Sequence, residues 1–512
     1  MRQTTKGEEE QVQRKNMRVA VTTIVVGMMV AGTTSATPMV PQAPDGSDIR
    51  NVIMLVGDGM SNSHVSAGRL RYYGAAGRLA MERLPVHGSV STYAVEPKSD
   101  LPALVTESSS AATAWSSGVK TYNYAVGVDA YGRRVETVME QAHRAGYATG
   151  NVSTGDVTDA TPAAMYSHVL LRSCQGPTFS DRECLPNPDY FPPPEDKTLI
   201  TPISKQIAQG ATADVILGGG MSRFESQDEE SLVSNGYQIL GDFGDPALPT
   251  QTSQSQRVAT RDDLKNADGP KVVGLFSRGN MTVETAKAAL PESAPQTAEP
   301  TLSEMTRKAI SLLADRKHSP GFFLQVEGAA IDKRSHANDA GQTLGEVKAF
   351  DDAVVAALDF ARQDRHTLVV VTADHESAGF SIIGKGSMTN AEAAGLPGNK
   401  DSSNPANDGF PKREKSANIP DANRARGIAN GPGAGGADPK NFGPSTFRTP
   451  DDPVDVTDGS PKASLWLSFL SGDHTGADVP LYAYGPGAER FSGNQDNTAL
   501  YDKFRRALFR SR

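Results

Sequence analysis

The 512-residue sequence contains only two cysteines, and it has no long run of lysine and arginine. It carries 60 acidic and 51 basic side chains, which give a formal net charge of −9. Binding to the phosphate backbone of nucleic acids needs a basic surface, so we expect no specific nucleic-acid partner. After residue 36, no apolar stretch is long enough to cross a bilayer, so we expect no membrane contact from that part of the chain.

The N-terminal segment has the pattern of a secretory signal peptide. Three basic residues precede a short apolar run at residues 19–31, and small residues follow at 34–36. A basic flank, a short apolar core and a small-residue exit are typical of an exported protein. We therefore predict a signal peptide at residues 1–36 and a periplasmic or secreted product. An uncleaved anchor is the alternative, and Met17 is a second candidate for the start of translation.

The two cysteines, Cys174 and Cys184, lie at the ends of a polar loop. An oxidising compartment would join them as a disulfide. A two-cysteine metal site is the alternative, but the loop supplies no histidine or third cysteine to complete one. The disulfide is the favoured prediction.

Three continuous apolar runs predict buried strands. They occupy residues 51–56, 321–328 and 367–371. Such runs are typical of strands that are covered on both faces of a parallel sheet. Helical patterns at 301–316 and 345–363 alternate with the second and third runs, and this alternation predicts an α/β fold.

Residues 380–460 differ from the rest of the chain in composition, because Gly, Pro, Asn, Ser and Asp dominate there. Such a composition does not easily bury a core. A loop of this length in a compact domain is usually functional or mobile. We predict one catalytic domain over residues 37–512, with a long loop insertion at 380–460.

Side chains able to bind a metal lie at the ends of all three predicted strands. Asp58 follows the first strand, Glu327 ends the second, and Asp374 and His375 follow the third. Open α/β sheets bind their ligands at the carboxyl ends of the strands. Imidazole and carboxylate ligands suit zinc, whereas an all-oxygen set with a hydroxyl suits magnesium. Loops add four further candidate ligands, which are Thr161, Asp332, His336 and His474.

Ser108 lies between Glu107 and a run of small residues that predicts a helix. A nucleophile at this place would meet free backbone N–H groups and the positive end of the helix dipole. A plain helix N-cap is the alternative for this pattern taken alone. Arg172 offers a planar fork that matches two oxygens of a phosphoryl group. Because metals lower the pKa of a bound hydroxyl, the whole set predicts phosphoryl transfer through a covalent serine.

Eight short motifs, in this order, resemble those of the bacterial alkaline phosphatases. They are GDGM at 57–60, Ser108 with ATAWS at 112–116, GVKTYN at 118–123, NVST at 151–154, DATPAA at 159–164, QVEGA at 325–329, TADH at 372–375 and HTG at 474–476. The resemblance implies a three-layer α/β sandwich with a central, largely parallel β-sheet flanked by helices. It also implies hydrolysis of small-molecule phosphate monoesters, two Zn²⁺ and one Mg²⁺, a homodimer, and a disulfide at the cysteine pair.

The resemblance further implies a role for each site residue. Ser108 becomes the phosphoserine and Arg172 clamps the phosphate. The implied ligands are Asp332, His336 and His474 for one zinc, Asp58, Asp374 and His375 for the other, and Asp58, Thr161 and Glu327 for magnesium. Asp159 and Lys333 would hold the waters of the magnesium and, through water, the phosphate.

Several residues depart from the family pattern. Glu107 stands where many relatives have Asp, and its longer side chain would change how firmly the phosphate is held. Ser109 and Ser110 replace alanines, which leaves a choice of nucleophile, although the flanking motif favours Ser108. Ser377 stands where a histidine often supports the metal site, so the zinc affinity would differ.

Two other functions compete with this interpretation. A phosphodiesterase or sulfatase could use the same metal scaffold, but Arg172, Lys333 and the third metal set suit a terminal phosphate with three free oxygens. A secreted phosphate- or metal-binding protein without turnover is the second alternative. It is disfavoured because no expected ligand or nucleophile is missing from the sequence.

Overall fold

The computed structural model describes residues 49–186, 191–244, 256–384 and 445–509. The predicted signal peptide and residues 385–444 of the predicted insertion lie outside the described residues. Within the described ranges, no helix is both long enough and apolar enough to cross a membrane.

A ten-stranded sheet forms the centre of the fold, with the spatial order β17-β2-β16-β10-β1-β9-β5-β6-β8-β7. Among these ten strands only β16 runs antiparallel to its neighbours, which confirms the predicted largely parallel sheet. The strands of the chain are β1 (Asn51–Gly57), β2 (Val86–Ser91), β3 (Ala94–Val95), β4 (Pro102–Ala103), β5 (Ala148–Asp156), β6 (Val215–Gly219), β7 (Tyr237–Leu240), β8 (Lys271–Leu275), β9 (Phe322–Gly328), β10 (Thr367–Thr372), β11 (Glu376–Ser377), β12 (Ser381–Gly384), β13 (Ser445–Phe447), β14 (Leu465–Ser468), β15 (His474–Thr475), β16 (Val479–Tyr484) and β17 (Gly493–Asp496).

Helices flank the sheet and complete a three-layer α/β arrangement, as predicted. The helices are α1 (Asn62–Tyr73), α2 (Ser108–Ser117), α3 (Val138–Arg144), α4 (Ala160–Ala163), α5 (Asp181–Cys184), α6 (Ile203–Gly210), α7 (Ser226–Ser234), α8 (Arg261–Lys265), α9 (Glu284–Ala289), α10 (Leu302–Ala314), α11 (Ala330–His336), α12 (Ala340–Asp364) and α13 (Thr498–Leu508). Helices α10 and α12 pack against each other and against the central strands, whereas α2, α3 and α13 form a second packed group.

The central strands β10, β1 and β9 are buried along their whole length. Their continuous apolar sequences suit strands that are covered on both faces. The parallel register places Val56 of β1 beside Thr372 on one side and Glu327 on the other. The carboxyl ends of the three strands therefore meet at one edge of the sheet, as the sequence predicts.

Two described parts of the predicted insertion form β-structure. Strands β12 and β13 both pair with β14 in a small antiparallel sheet. Phe380 and Phe447 are buried there and belong to a cluster that includes Leu344 of α12 and Ala67 of α1. Residues 385–444 are therefore bracketed by two strands that pack against the body of the fold.

The segment that carries Arg172 differs from the sequence prediction. Pro162 predicts the start of a helix that runs toward Arg172, because proline is favoured in the first helical turn. The structure has only the four-residue helix α4 there, and a bridge between Val169 and Val126 pulls the following chain into an extended conformation. The prediction of a helix from Pro162 toward Arg172 is therefore wrong.

The predicted disulfide between Cys174 and Cys184 is confirmed.

A buried carboxyl on α12 makes the stability of the fold depend on pH. Glu346 accepts a hydrogen bond from the backbone N–H of Glu284 at 2.7 Å. Burial and the nearby Glu284 carboxylate raise the pKa of Glu346 from 4.5 to about 7. Between these two pH values the folded chain binds more protons than the unfolded chain, so stability falls as the pH rises through this window.

We expect Glu346→Gln to be more stable than the wild type at pH 8 by on the order of 2–3 kcal/mol. At pH 4.5 the two proteins should unfold alike, because the wild-type side chain is then neutral when folded. Denaturant unfolding at both pH values measures the difference, and Glu230→Gln at an exposed position is the control. An equal difference at both pH values would show that the charge of Glu346 is not the cause.

Candidate active site

The first metal-type cluster forms where β1 and β10 end. The ligand atoms of Asp58, Asp374 and His375 lie within 4.8 Å of one another, and all three residues are buried. The His375 Nε2 atom is 3.1 Å from Asp374 Oδ2 and 3.6 Å from Asp58 Oδ1. Gly59 makes this approach possible, because at φ +69° its backbone N–H donates to Asp374 and a Cβ there would collide with Ser377.

The second cluster contains Asp332, His336 and His474. Asp332 and His336 lie four residues apart on α11, so both project from one side of that helix. His474 reaches them because β15 pairs with β11, directly after the Asp374–His375 turn. The Nε2 atoms of the two histidines are 3.1 Å apart, and His336 Nε2 is 3.1 Å from Asp332 Oδ2.

The ring orientations in the second cluster leave electron pairs facing inward. His336 Nδ1 lies 2.6 Å from the carbonyl oxygen of Gly472, and His474 Nδ1 lies 3.1 Å from that of Thr106. A carbonyl accepts hydrogen bonds, so each Nδ1 carries the proton and each Nε2 presents its lone pair to the cluster.

A divalent cation fits both clusters. Among the predicted ligands, four buried oxygens have no hydrogen-bond partner in the described part of the chain. Three belong to the two clusters, Asp58 Oδ1, Asp332 Oδ1 and Asp374 Oδ2, and the fourth is Thr161 Oγ1 of the third predicted set. Burying several hydrogen-bond acceptors close together, with no donor between them, is unfavourable unless a cation compensates their negative charge. The donor set of carboxylates and imidazoles suits a borderline metal such as zinc.

The third predicted ligand set contains Asp58, Thr161 and Glu327, and all three are buried. Burial raises the pKa of Asp58, and the nearby carboxylates of Asp374, Asp332 and Glu327 raise it further, so Glu327 lies within electrostatic reach of Asp58. Burial raises the pKa of Glu327 itself to about 7, and its Oε2 accepts a hydrogen bond from Ser153. A hard cation between Asp58, Glu327 and the Thr161 hydroxyl would relieve this unfavourable burial of charge.

Ser108 begins helix α2, as the sequence predicts, and its hydroxyl points to the first cluster. Its Oγ lies 3.1 Å from His375 Nε2. The hydroxyls of the two following serines are already engaged. Ser109 donates to Glu107, and Ser110 donates to Asn123 at 2.8 Å. The geometry therefore favours Ser108 among the three serines.

Glu107 joins the nucleophile helix to Arg172. As the N-cap of α2 it accepts the N–H groups of Ser109 and Ser110, and its Oε2 accepts from Arg172 at 2.5 Å. Burial would raise the pKa of Glu107, but the Arg172 charge and hydrogen bonds from Ser109 outweigh burial and lower it. The longer side chain of Glu thus holds both the helix and the arginine.

Asp159 holds the other side of the guanidinium. Arg172 donates to Asp159 Oδ1 at 2.6 Å, and Lys333 donates to Asp159 Oδ2 at 2.8 Å. Burial opposes ionisation of Asp159, but the two cations outweigh it and hold the pKa of Asp159 well below its usual range. Arg172 and Lys333 therefore form a fixed pair of positive charges on Asp159, and Arg172 also contacts Glu107, which precedes Ser108.

His64 supports the second cluster, and the sequence gives no sign of this. The side chain is buried, and its Nε2 donates to Ser335 Oγ at 3.0 Å, while Nδ1 accepts the backbone N–H of Ser61. Burial lowers the pKa of His64 to about 3, which keeps the ring neutral. Ser335 lies between Asp332 and His336, so this contact orients α11.

The amino-acid sequence matches the family model described as alkaline phosphatase over residues 49–406. It is 41% identical to an alkaline phosphatase of Escherichia fergusonii over 64% of this chain and 70% of that protein. It is 32% identical to alkaline phosphatase H of Pseudomonas aeruginosa over 90% and 85% of the two chains. The solved structure of Thermus thermophilus alkaline phosphatase superposes with a TM-score of 0.61 at 24% identity, covering 94% and 96% of the chains, which shows the shared fold.

Proposed function

The chain belongs to the alkaline phosphatase family, a family of metal-dependent phosphomonoesterases, and we propose that it works through a phosphoserine at Ser108. The observation that carries the proposal is the position of the Ser108 hydroxyl. It lies at the N-terminus of α2, 3.1 Å from His375, with its two neighbouring serine hydroxyls engaged elsewhere. The Arg172 guanidinium is fixed beside it.

Different residues bind the phosphate and carry out the phosphoryl transfer. Arg172, Lys333 and the N–H groups of α2 bind the non-bridging oxygens of the phosphate. Ser108 Oγ attacks phosphorus, the bond from phosphorus to the leaving oxygen breaks, and the alcohol departs with a proton. Water then attacks the phosphoserine and releases inorganic phosphate, with net retention at phosphorus.

Metal ions complete the proposed site. One Zn²⁺ would be held by Asp332, His336 and His474, a second by Asp58, Asp374 and His375, and one Mg²⁺ by Asp58, Thr161 and Glu327, with Asp159 and Lys333 beside it. When bound, these cations supply positive charge that lowers the pKa of the serine hydroxyl and stabilises the leaving oxygen. The inward-facing lone pairs and unpaired buried oxygens support this assignment.

We further propose an exported homodimer with one catalytic domain over residues 37–512. The signal-like pattern at residues 1–36 and the disulfide between Cys174 and Cys184 support export, since disulfides persist in oxidising compartments. The central sheet takes strands from residue 51 to residue 496, which supports a single domain. The dimer follows from the family resemblance.

A panel of esters tests the proposed function. Purified protein with zinc and magnesium should hydrolyse an aryl phosphate monoester with a kcat/KM at least about 10²-fold above that for the matching diester or sulfate ester. The expected reason is that Arg172 and Lys333 are placed for a terminal phosphate with three free oxygens. Faster turnover of the diester or the sulfate would move the chain to a neighbouring class. If the protein turned over none of these esters with metals bound, the alternative of a phosphate- or metal-binding protein without catalytic activity would stand.

A further inference from the structure

Three exposed apolar side chains lie close to the proposed nucleophile in the fold. Leu104 is 77% exposed, Val105 is 40% exposed and Tyr124 is 56% exposed. The two segments that carry them are joined, because Asn123 Nδ2 donates to the carbonyl oxygen of Val105 at 2.9 Å. We call these three side chains the apolar rim.

The rim borders both sides of the site. Leu104 and Val105 immediately precede the segment of Glu107 and Ser108. The loop after His474 lies against them, since a Cβ built on Gly476 would be 3.0 Å from the carbonyl oxygen of Leu104. Leu104 and Val105 therefore lie next to the nucleophile helix and next to the loop that follows His474 of the second cluster.

Tyr124 is fixed to the phosphate clamp through its backbone. Its N–H donates to Glu107 Oε1 at 2.7 Å, and its carbonyl oxygen accepts the N–H of Arg172 at 2.7 Å. Its φ of +78° lies in the left-handed region, which favours glycine and is unfavourable for tyrosine. A bulky residue that is strained at a ligand clamp, yet more than half exposed, is better explained by contact with a ligand than by packing.

The charges around the phenol agree with this position. Partial burial and the Glu107 carboxylate raise the pKa of Tyr124, Arg172 lowers it, and Asp473 raises it. The phenol thus lies within electrostatic reach of the clamp and of the residue that precedes His474.

We propose that the apolar rim binds the leaving group of the monoester, with Tyr124 stacking on aromatic leaving groups. This inference rests on the proposed function. A phosphate held by Arg172 and the N-terminus of α2 leaves its ester group projecting outward, where the rim lies. Exposed aromatic and aliphatic side chains contact apolar groups favourably and give a small polar alcohol little to bind. Tyr124, Leu104 and Val105 thus determine specificity and play no part in the chemical step.

Tyr124→Gly tests the proposal without disturbing the clamp, because glycine adopts the observed φ and keeps both backbone hydrogen bonds. The ratio of kcat/KM for 1-naphthyl phosphate to that for glycerol phosphate should fall by about 3–10-fold, through a higher KM for the naphthyl ester. Inhibition by inorganic phosphate, which has no leaving group, should stay the same. Leu104→Ser should lower the ratio by a smaller factor, and Tyr131→Ala, at a tyrosine that is 48% exposed, should leave it unchanged.

The contrary outcomes are distinct. An unchanged ratio of the two kcat/KM values would contradict the proposal that the apolar rim binds the leaving group. An equal loss of kcat/KM for both esters, with weaker inhibition by phosphate, would also contradict it and would show that Tyr124 only supports the phosphate clamp. A smaller particle mass in sedimentation of Tyr124→Gly would show that the rim is a contact between subunits, which also overturns it. If the wild type hydrolysed no monoester, the proposed function itself would fail.

Discussion

Ser108→Ala is expected to lower kcat/KM for an aryl phosphate monoester by about 10³-fold or more. The substitution removes the oxygen that would accept the phosphoryl group, and it removes nothing else that the fold needs. The Ser108 hydroxyl faces His375, whereas the helix cap formed by Glu107 accepts the backbone N–H groups of Ser109 and Ser110. Binding of phosphate at Arg172 should therefore survive, and inorganic phosphate should still bind the variant.

The two adjacent serines provide matched controls. Ser109→Ala and Ser110→Ala each remove one hydroxyl of the same helix turn, but those hydroxyls bond to Glu107 and Asn123. Each control should keep activity within about tenfold of the wild type, because neither carries the phosphoryl group. A loss in Ser109→Ala as large as that in Ser108→Ala, or a nearly active Ser108→Ala, would contradict the assignment.

Removal of divalent metals is expected to lower activity by about 10³-fold or more, since a loss of several kcal/mol of charge stabilisation has that effect on rate. Dialysis against a chelator followed by an assay measures the loss, and zinc with magnesium should restore the rate. The stripped protein should also unfold at a lower temperature, because it buries the carboxylates of Asp58, Asp332 and Asp374 without a compensating cation. Full activity after complete metal removal, shown by elemental analysis, would refute the metal role.

Metal counting on a variant separates the sites. His474→Gln removes one imidazole of the second cluster, and we expect one zinc fewer per chain with the fold retained. His87→Gln is the control, because this exposed histidine lies on β2 and contacts the carbonyl oxygen of Leu84. An unchanged zinc content in His474→Gln would place that zinc elsewhere.

The sequence predicts the centre of the fold well, for a physical reason. Strands β1, β9 and β10 are covered on both faces, so their sequences are unbroken apolar runs. Their polar residues appear only where each strand ends, which is also where a parallel sheet collects its ligands. The sequence alone therefore identifies Asp58, Glu327 and the Asp374–His375 pair as candidate ligands.

The sheet edges and the supporting contacts are not visible in the sequence. Strands β2 and β17 are short and partly polar, and their pairing joins segments some four hundred positions apart. The contact between His64 and Ser335 likewise spans 271 positions. The backbone conformation of Tyr124 is not predictable from the sequence for another reason. Its positive φ accompanies backbone hydrogen bonds to Glu107 and Arg172, and a tyrosine in the sequence does not predict a left-handed backbone.

One measurement tests the covalent serine most directly. The enzyme is mixed with an aryl phosphate monoester, quenched in acid within milliseconds to seconds, digested, and the peptides are fragmented in a mass spectrometer. Acid preserves a phosphate ester of serine, so we expect one added phosphoryl group on Ser108 and none on Ser109 or Ser110. A phosphoryl group on another residue, or none at any quench time while product accumulates, would contradict it.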